Sequence, residues 1–431
     1  MRSFLSILKT NRNYRYLWTG QAVSEIGDHF NTIAVLSLSL RITGSGFGVG
    51  MVMLARVIPA ILAGPIAGLV LDRMDRRKVM IASDLMRAVV ALAHILLVVY
   101  PQPWLLYTLS GLLMFASPFF TAGRSAILPN ITTPGELHSA NALTQTTAWL
   151  TLSIGTMFGG MSAMQFGFGW AFAANAVSFL VSAWAVRQMV SPGGHFRPGG
   201  VSRVLNRRIA GWRDFTDGLR YMRTRPLIFA IGMAGVGWAT GGGAAQILFT
   251  LFGEVVFNRG PAGVGLIWSF AGIGLVIGGL TGHKIGNNLT FIGYKRLLGI
   301  TFLIHGLSYT AFAMMPTIWL SLIFITLSRA CVGLNNVLNR TIMLTHVPDG
   351  FRGRVFTTVD TMLNATMMVS LGVGAWATAV FPIRTIGIVA GLLSSTTAIY
   401  WAWAEATGRL VRPPVNDMGE DIEEPEAVTP A

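Results

Sequence analysis

The sequence predicts an all-α integral membrane protein with twelve transmembrane helices in two bundles of six. Three observations predict it: a composition too apolar for water, apolar runs of bilayer-spanning length broken by short charged turns, and a polar, basic stretch halfway along. Apolar residues make up 52% of the 431 residues and charged residues only 12%, about half the ~25% charge of soluble domains. The mean hydropathy is +0.58. A net charge of +14 would suit a nucleic-acid binder, but most of the Lys and Arg fall in short loops on alternate sides of the apolar runs. Only Arg41, Arg259 and Arg384 fall at the opposite ends. Read with the positive-inside rule, the basicity sets membrane topology, and nucleic acid is excluded as a partner.

The elements follow in order. Cations at Arg2, Lys9, Arg12 and Arg15 precede an apolar run over 16–42. That run is too long for a signal-peptide core and is followed by no small-residue cleavage site, so it is expected to stay as the first span. The second run, 48–71, stops at Asp72-Arg73-Met74-Asp75-Arg76-Arg77-Lys78, a turn that must sit at one membrane face. Further spans are predicted over 79–100, 104–128, 139–164 and 168–189, each near the ~20 residues that cross the hydrocarbon core. Pro- and Gly-containing, basic residues 190–225 then read as a cytoplasmic linker, with an amphipathic helix over 209–225 along the membrane surface. Six more spans follow at 226–252, 262–285, 293–314, 317–345, 353–380 and 383–408. The domains expected are therefore a first bundle over 1–189, the linker, a second bundle over 226–408, and a disordered acidic tail over 409–431. An even span count puts both termini in the cytoplasm of what reads as a prokaryotic cell membrane. Arg124 followed by Pro134-Gly135-Glu136, and Arg340 followed by Pro348-Asp349-Gly350, suggest that the halves are repeats.

Several residues stand out inside the spans. Glu25, Asp28 and His29 share one helical face, and Asp28 lies roughly 15 Å deep when counted from Trp18 at 1.5 Å per residue. Arg56, in the antiparallel second span, reaches a similar depth. An ionised group there is costly and commonly marks an ion route. Asp28 is therefore expected either to exchange a proton, with Arg56 as counter-charge and Glu25 as a second titrating site, or to form a static Asp28–Arg56 pair. Asp360, Arg329 and Arg124 are secondary candidates; Arg124 and Arg340 also suit end-of-helix cations, and Asp360 is near enough to a face to be hydrated. His94 and His305 read as packed core histidines. Cys331 is the single cysteine, so no internal disulfide is possible. Nothing has metal-ligand spacing, a phosphate loop or a nucleophile–base pattern, so no metal, no cofactor and no enzymatic activity are expected.

The segment Gly68-x-x-x-Asp72-Arg73-x-x-Arg76-Arg77-Lys78 resembles the signature loop between helices two and three of the major facilitator superfamily. The N-terminal phrase Asn11-Arg12-Asn13-Tyr14-Arg15-Tyr16-Leu17-Trp18-Thr19-Gly20-Gln21, then Gly27-Asp28, is similar to the branch of enterobactin exporter-like and macrolide-efflux-like proteins. So are Arg56-x-x-Pro59, Asp84-x-x-Arg87, Asn141-Ala142-Leu143 and Arg352-Gly353-Arg354-Val355-Phe356. The resemblance implies a secondary active exporter driven by protons, moving an amphipathic drug, macrolide or siderophore by alternating access between the bundles. It implies a cytoplasmic gate in which Asp72, with Arg73 and Arg76, meets the positive N-terminal end of the eleventh span. Gly68, Arg77 and Lys78 complete that gate. Two departures stand out: Asp75 replaces the usual glycine of the signature, and Gly155-Thr156-Met157-Phe158-Gly159-Gly160 lacks the proline of drug–proton antiporters. Small-molecule cargo and membrane lipid are the partners expected, with no obligate protein partner. A lipid or metabolite carrier, or a non-transporting sensor or scaffold on the same fold, are the alternatives.

Overall fold

The computed structural model describes residues 2–190, 196, 210–286 and 288–411. Among them the chain is helical throughout. The amphipathic α1 (Arg2–Thr10) leads into α2 (Arg12–Thr43), α3 (Gly46–Leu71), α4 (Arg76–Ala93) with its short continuation α5 (Leu96–Val99), α6 (Pro103–Ile131), α7 (Pro134–Phe166) and α8 (Phe168–Arg187). After α9 (Ala210–Thr224) come α10 (Pro226–Leu251), a π-helical turn (Phe252–Val256), α11 (Gly260–Gly286), α12 (Phe291–Met314), α13 (Ile318–His346), α14 (Asp349–Ala377) and α15 (Ile383–Ala406). The rest of the linker, and the acidic tail beyond Val411, lie outside the described residues.

Nine of these elements are long and apolar enough to cross a membrane by composition alone. The other three of spanning length are α2, α7 and α14, with 32, 33 and 29 residues. With them the described residues hold twelve helical segments of spanning length, and the three are less apolar for a structural reason: each has contacts across to the other half. α2, α3, α4, α6, α7 and α8 pack chiefly on one another, and α10 to α15 do the same. The two bundles touch along α7–α11 and α3–α14, the paired contacts that two duplicated halves create.

Local chemistry fixes the helix ends. Asn11 accepts from the Tyr14 N–H to cap α2, and Thr133 with Glu136 forms a capping box on α7. The apolar run expected at 79–100 is split near His94, whose Nδ1 lies 2.8 Å from the Val90 carbonyl, one turn back. The helix expected over 209–225 is present as α9, and it packs on the start of α14. Tyr221 stacks on Phe351 at 4.9 Å, Arg354 donates to Asp214 at 3.0 Å, and Met222 is fully buried.

The inter-bundle seams decide the state of the molecule. Call the side that carries the 72–78 turn the basic face. At the far face, a Cβ built on Gly50 would lie 2.3 Å from the Ala375 Cβ, and one on Gly160 would lie 2.4 Å from the Pro261 carbonyl oxygen. The α7–α11 seam continues inward through Gly265 on Thr156 and Gly272 on Ser153 to Gly279 on Trp149. At the basic face the contacts stop. Nothing lies within 4 Å of a Cβ built on Gly64, Gly68, Gly135, Gly350 or Gly353. Among the described glycines, the closest approaches between the bundles lie toward the far face, and those nearest the basic face meet open space.

Candidate functional site

α2 lays Gln21, Glu25, Asp28 and Thr32 along one face, at spacings of three and four residues. Asp28 sits halfway along the helix, and its side chain keeps 28% of its surface exposed. Its Oδ2 is 3.8 Å from Nη1 of Arg87 on α4. Arg87 also pairs with Asp84, one turn earlier on its own helix. Asp84 is completely buried, and the Arg87 guanidinium lies over the rings of Phe120 and Phe179, at 4.9 and 4.3 Å. One buried cation therefore serves two carboxylates, only one of which water can reach. The side chains of Asn175 and Ser182 stand beside the Asp28 and Asp84 carboxylates, while Arg87 Nε has no hydrogen-bond partner among the described residues.

Arg56 does not make the ion pair expected of it. Its guanidinium donates to Asn31 Oδ1 at 3.4 Å and to Thr32 Oγ1 at 3.0 Å, one turn beyond Asp28. Direction around the helix was not available from depth, and Arg87 occupies the side that Asp28 faces. Glu25 has its own cation: Arg124 lies 3.6 Å away, while Gln21 Nε2 and the Thr151 hydroxyl donate to the carboxylate at 2.7 and 3.0 Å. Arg124 stands seven residues before the end of α6, deep enough to serve this acid. A pocket of about 190 Å³, lined by Tyr14, Trp18, Gln21, Arg124, Asn141 and Thr144, lies beside the pair.

Because Arg87 is nearly without solvent access, deleting it alone strands Asp84. Breaking a buried pair costs about 3–5 kcal/mol, whereas replacing both members with apolar groups is often neutral. Arg87→Leu is expected to lose most folded protein in detergent, and Asp84→Leu/Arg87→Leu to recover it, as read by monodisperse yield in size-exclusion chromatography.

The 72–78 turn divides into two jobs. Asp75 caps α4, accepting from the backbone N–H groups of Arg77 and Lys78, and also accepts from Phe196 N at 3.3 Å. This explains an acid where the superfamily signature has glycine: the carboxylate satisfies orphan donors at a helix start. Arg76 donates to the Ala126 carbonyl and Arg77 to that of Met189, both at 2.8 Å, tying the turn to its own bundle. Asp72 and Arg73 form no ion pair among the described residues, Lys78 is exposed, and Gly68 faces open space. In the second bundle Asp360 is exposed on α14, and Arg329 on α13 lies partly buried over the Phe249 ring at 5.2 Å. His94 and His305 are buried and hydrogen-bonded within the core.

Residues 4–419 match the family model described as transmembrane secretion effector. The chain belongs to that family, within the major facilitator superfamily. This transporter is 23% identical over 395 residues to BacE of Bacillus subtilis (strain 168), named as a bacilysin exporter, covering 91% of this chain and 96% of that one. It is 22% identical to macrolide efflux protein A of Streptococcus pyogenes over 82% of this chain and 86% of that one. It is also 22% identical to the enterobactin exporter EntS of Citrobacter koseri (strain ATCC BAA-895 / CDC 4225-83 / SGSC4696), over 81% and 82%. In fold it resembles the nucleoside transporter NupG, with a TM-score of 0.71 at 14% identity, covering 91% and 99%. It also resembles a bacterial homologue of the iron transporter ferroportin in an inward-facing state, with a TM-score of 0.66 at 18% identity, covering 91% and 98%. The transporter is thus a multi-pass membrane protein that moves small molecules and not an enzyme.

Sequence reasoning singled out Asp28 and Glu25, and Arg124 as a secondary candidate, but not the pairing of Arg124 with Glu25 or of Arg87 with Asp28. The signal for Arg87 was present, since Asp84 and Arg87 are one turn apart inside an apolar run, where an i, i+3 acid–base pair has no reason to exist without a buried partner.

Proposed function

We propose that the chain is a proton-coupled exporter that moves amphipathic organic compounds across the bacterial cell membrane by alternating access, with residues 1–189 and 226–408 rocking about the seams. The observation that carries this reading is Arg87 held between part-exposed Asp28 and fully buried Asp84. When Asp28 takes up a proton, Arg87 keeps a counter-charge in Asp84, so the buried guanidinium is not left without a carboxylate. When Asp28 releases the proton, its carboxylate is met by the same guanidinium. Glu25 and Arg124 form a second, more accessible pair on the same helix face. Arg56 adds positive potential one turn beyond. By the positive-inside rule the basic face is cytoplasmic, both termini lie there, and the seams, closest toward the far face, correspond to the inward-open state. Export, rather than import, follows the roles for which the relatives are named.

The gate belongs to the same proposal. In the inward-open state Asp72 and Arg73 are unpaired, ready to meet the start of α14 when the basic ends close, while Arg76, Arg77 and Lys78 hold the turn in place. Asp72→Ala is expected to cut transport severalfold at normal expression, through loss of a helix-terminus contact of about 0.3–2 kcal/mol. Wild-type flux in reconstituted Asp72→Ala would remove the gate.

The export reading is tested with purified protein in liposomes. Protons should leave the protein when macrolides, siderophores or cationic dyes bind, and an imposed proton gradient should drive their accumulation. Binding without proton release would leave a facilitator. A lipid-carrier reading draws on an apolar pocket of about 470 Å³ beside α14 and α15, bordered by Val373, Trp376, Phe381 and Val389; labelled phospholipids in the same assay separate the two.

A further inference from the structure

One cation of the first bundle is underused. Arg124 faces Glu25 at 3.6 Å, and its guanidinium makes no hydrogen bond among the described residues. Glu25 is better served, by Gln21 Nε2 at 2.7 Å and the Thr151 hydroxyl at 3.0 Å. The Arg124 side chain keeps only 23% of its surface. A guanidinium carries five N–H donors in a fixed fork, and donors left unmade away from bulk water are costly.

The pocket of about 190 Å³ beside the pair is where those donors can be met. Liquid water takes about 30 Å³ per molecule, so the space has room for a carboxylate with a compact ring or a short chain. Its walls come from three helices at one level. Arg124 lies seven residues before the end of α6 and Asn141 seven after the start of α7, each about 10 Å from the basic end of its helix at 1.5 Å per residue. α3 and α7 carry the seams to the second bundle, and α2 and α6 bridge them, in the packing order α7–α2–α6–α3. The pocket therefore lies in the wall that links one seam to the other. Most of its other polar groups are engaged. Tyr14 donates its hydroxyl to the Ala140 carbonyl at 2.9 Å, Trp18 Nε1 donates to Thr147 at 2.8 Å, and the Ser125 hydroxyl donates to the Thr121 carbonyl at 3.1 Å. Asn141 is exposed, and its amide has no partner among the described residues. None of the residues lining the pocket is an acid. An entering group thus meets a guanidinium and a free amide among apolar and aromatic walls.

We infer that Arg124, helped by Asn141, binds the carboxylate of a small organic acid in this pocket. A guanidinium offers two parallel N–H donors to the two acid oxygens, and the rings of Tyr14 and Trp18 suit a flat apolar body attached to the acid. Glu25 keeps its hydrogen bonds to Gln21 and Thr151 when the acid binds. The inference deepens the export reading, and rests on it only for the claim that the acid is part of the cargo.

The test is equilibrium dialysis of full-length protein in detergent against radiolabelled benzoate and its neutral counterpart benzamide, with protein-free micelles as the blank. Wild type should bind benzoate at least about tenfold more tightly, the order expected of a hydrogen bond to a charged group. Arg124→Gln should bring the acid-to-amide ratio to near one. Arg124→Lys, which keeps the charge without the fork, should keep part of it. Asn141→Trp, at an exposed position, leaves the ion pair in place and fills the pocket, so it should abolish benzoate binding. A wild-type ratio near one, a ratio unchanged in Arg124→Gln, or benzoate binding undiminished in Asn141→Trp would overturn the site. The same proteins in liposomes keep the two readings apart. Proton-driven accumulation of drugs or dyes, with no acid preference that depends on Arg124, would leave export and remove the site. Acid binding that depends on Arg124, with no proton-driven accumulation of any compound, would sink export and leave the site as one for a free cellular acid.

Discussion

Asp28→Asn is expected to abolish proton-driven accumulation, to the level of empty liposomes, while leaving the protein folded. Asn has the shape of Asp, so the packing around α2 is kept. Arg87 still has Asp84, so no buried cation is stranded. What disappears is the one acid of the cluster that is both partly exposed and within 4 Å of the shared guanidinium. Proton release on cargo binding should vanish with it, and exchange of labelled for unlabelled cargo in the absence of a gradient should continue, because exchange needs no net proton movement. The two readings of this residue separate cleanly in that experiment. If the Asp28–Arg87 contact serves only to lock helices, Asp28→Asn will lower yield and thermal stability and leave coupling per folded molecule intact. Glu25→Gln is the companion measurement, and residual proton release confined to one of the two variants would show which acid carries the exchanged proton.

The second large effect concerns the closed seam. A Cβ at Gly160 would lie 2.4 Å from the Pro261 carbonyl oxygen and 3.0 Å from the Gly265 Cα, and backbone on α11 cannot move aside as a side chain would. Gly160→Leu should therefore pry the bundles apart at the far face. Overpacking costs about 1–3 kcal/mol, which shifts a two-state ratio by roughly five- to one-hundred-fold. Paired labels at Tyr100→Cys and Thr317→Cys, in a Cys331→Ser background, should report longer far-face distances for Gly160→Leu, together with loss of transport. An unchanged distance distribution would mean that the seam yields without opening.

The twelve crossings were legible because length and hydropathy act locally, and the 72–78 turn because dense charge cannot enter a bilayer. The glycine-rich phrase at 155–160 was legible as a departure from a family pattern, but not as a seam. Its meaning depends on which helix lies opposite: Gly155 packs on His29, Gly159 on Phe30 and Gly160 on α11. The charge cluster was half legible. Counting residues gives the height of a side chain in the membrane, so Asp28 and Arg56 were placed at one level. Only the packing of α4 against α6 and α8 reveals that Arg87 reaches Asp28. Arg124 was read both as a secondary candidate and as an end-of-helix cation, and its partner stayed hidden because Glu25 is 99 residues away. Amphipathic α1 and the docking of α9 on α14 were hidden for the same reason: short helices draw their stability from surfaces their own sequence does not contain.

The three least apolar crossings have a consequence for how the chain enters the membrane at all. On the scale of translocon insertion a central acidic residue costs about 2.5–3.5 kcal/mol, and α2 carries both Glu25 and Asp28 near its middle. It is a poor insertion signal alone. α3, whose best window has a mean hydropathy of 2.0, follows within three residues and is well able to insert. Biogenesis should thus proceed by helical hairpins, with α2 drawn in by α3, and α7 and α14 by α8 and α15. The polarity that equips these helices to line a transport path makes each of them dependent, during synthesis, on the neighbour that follows.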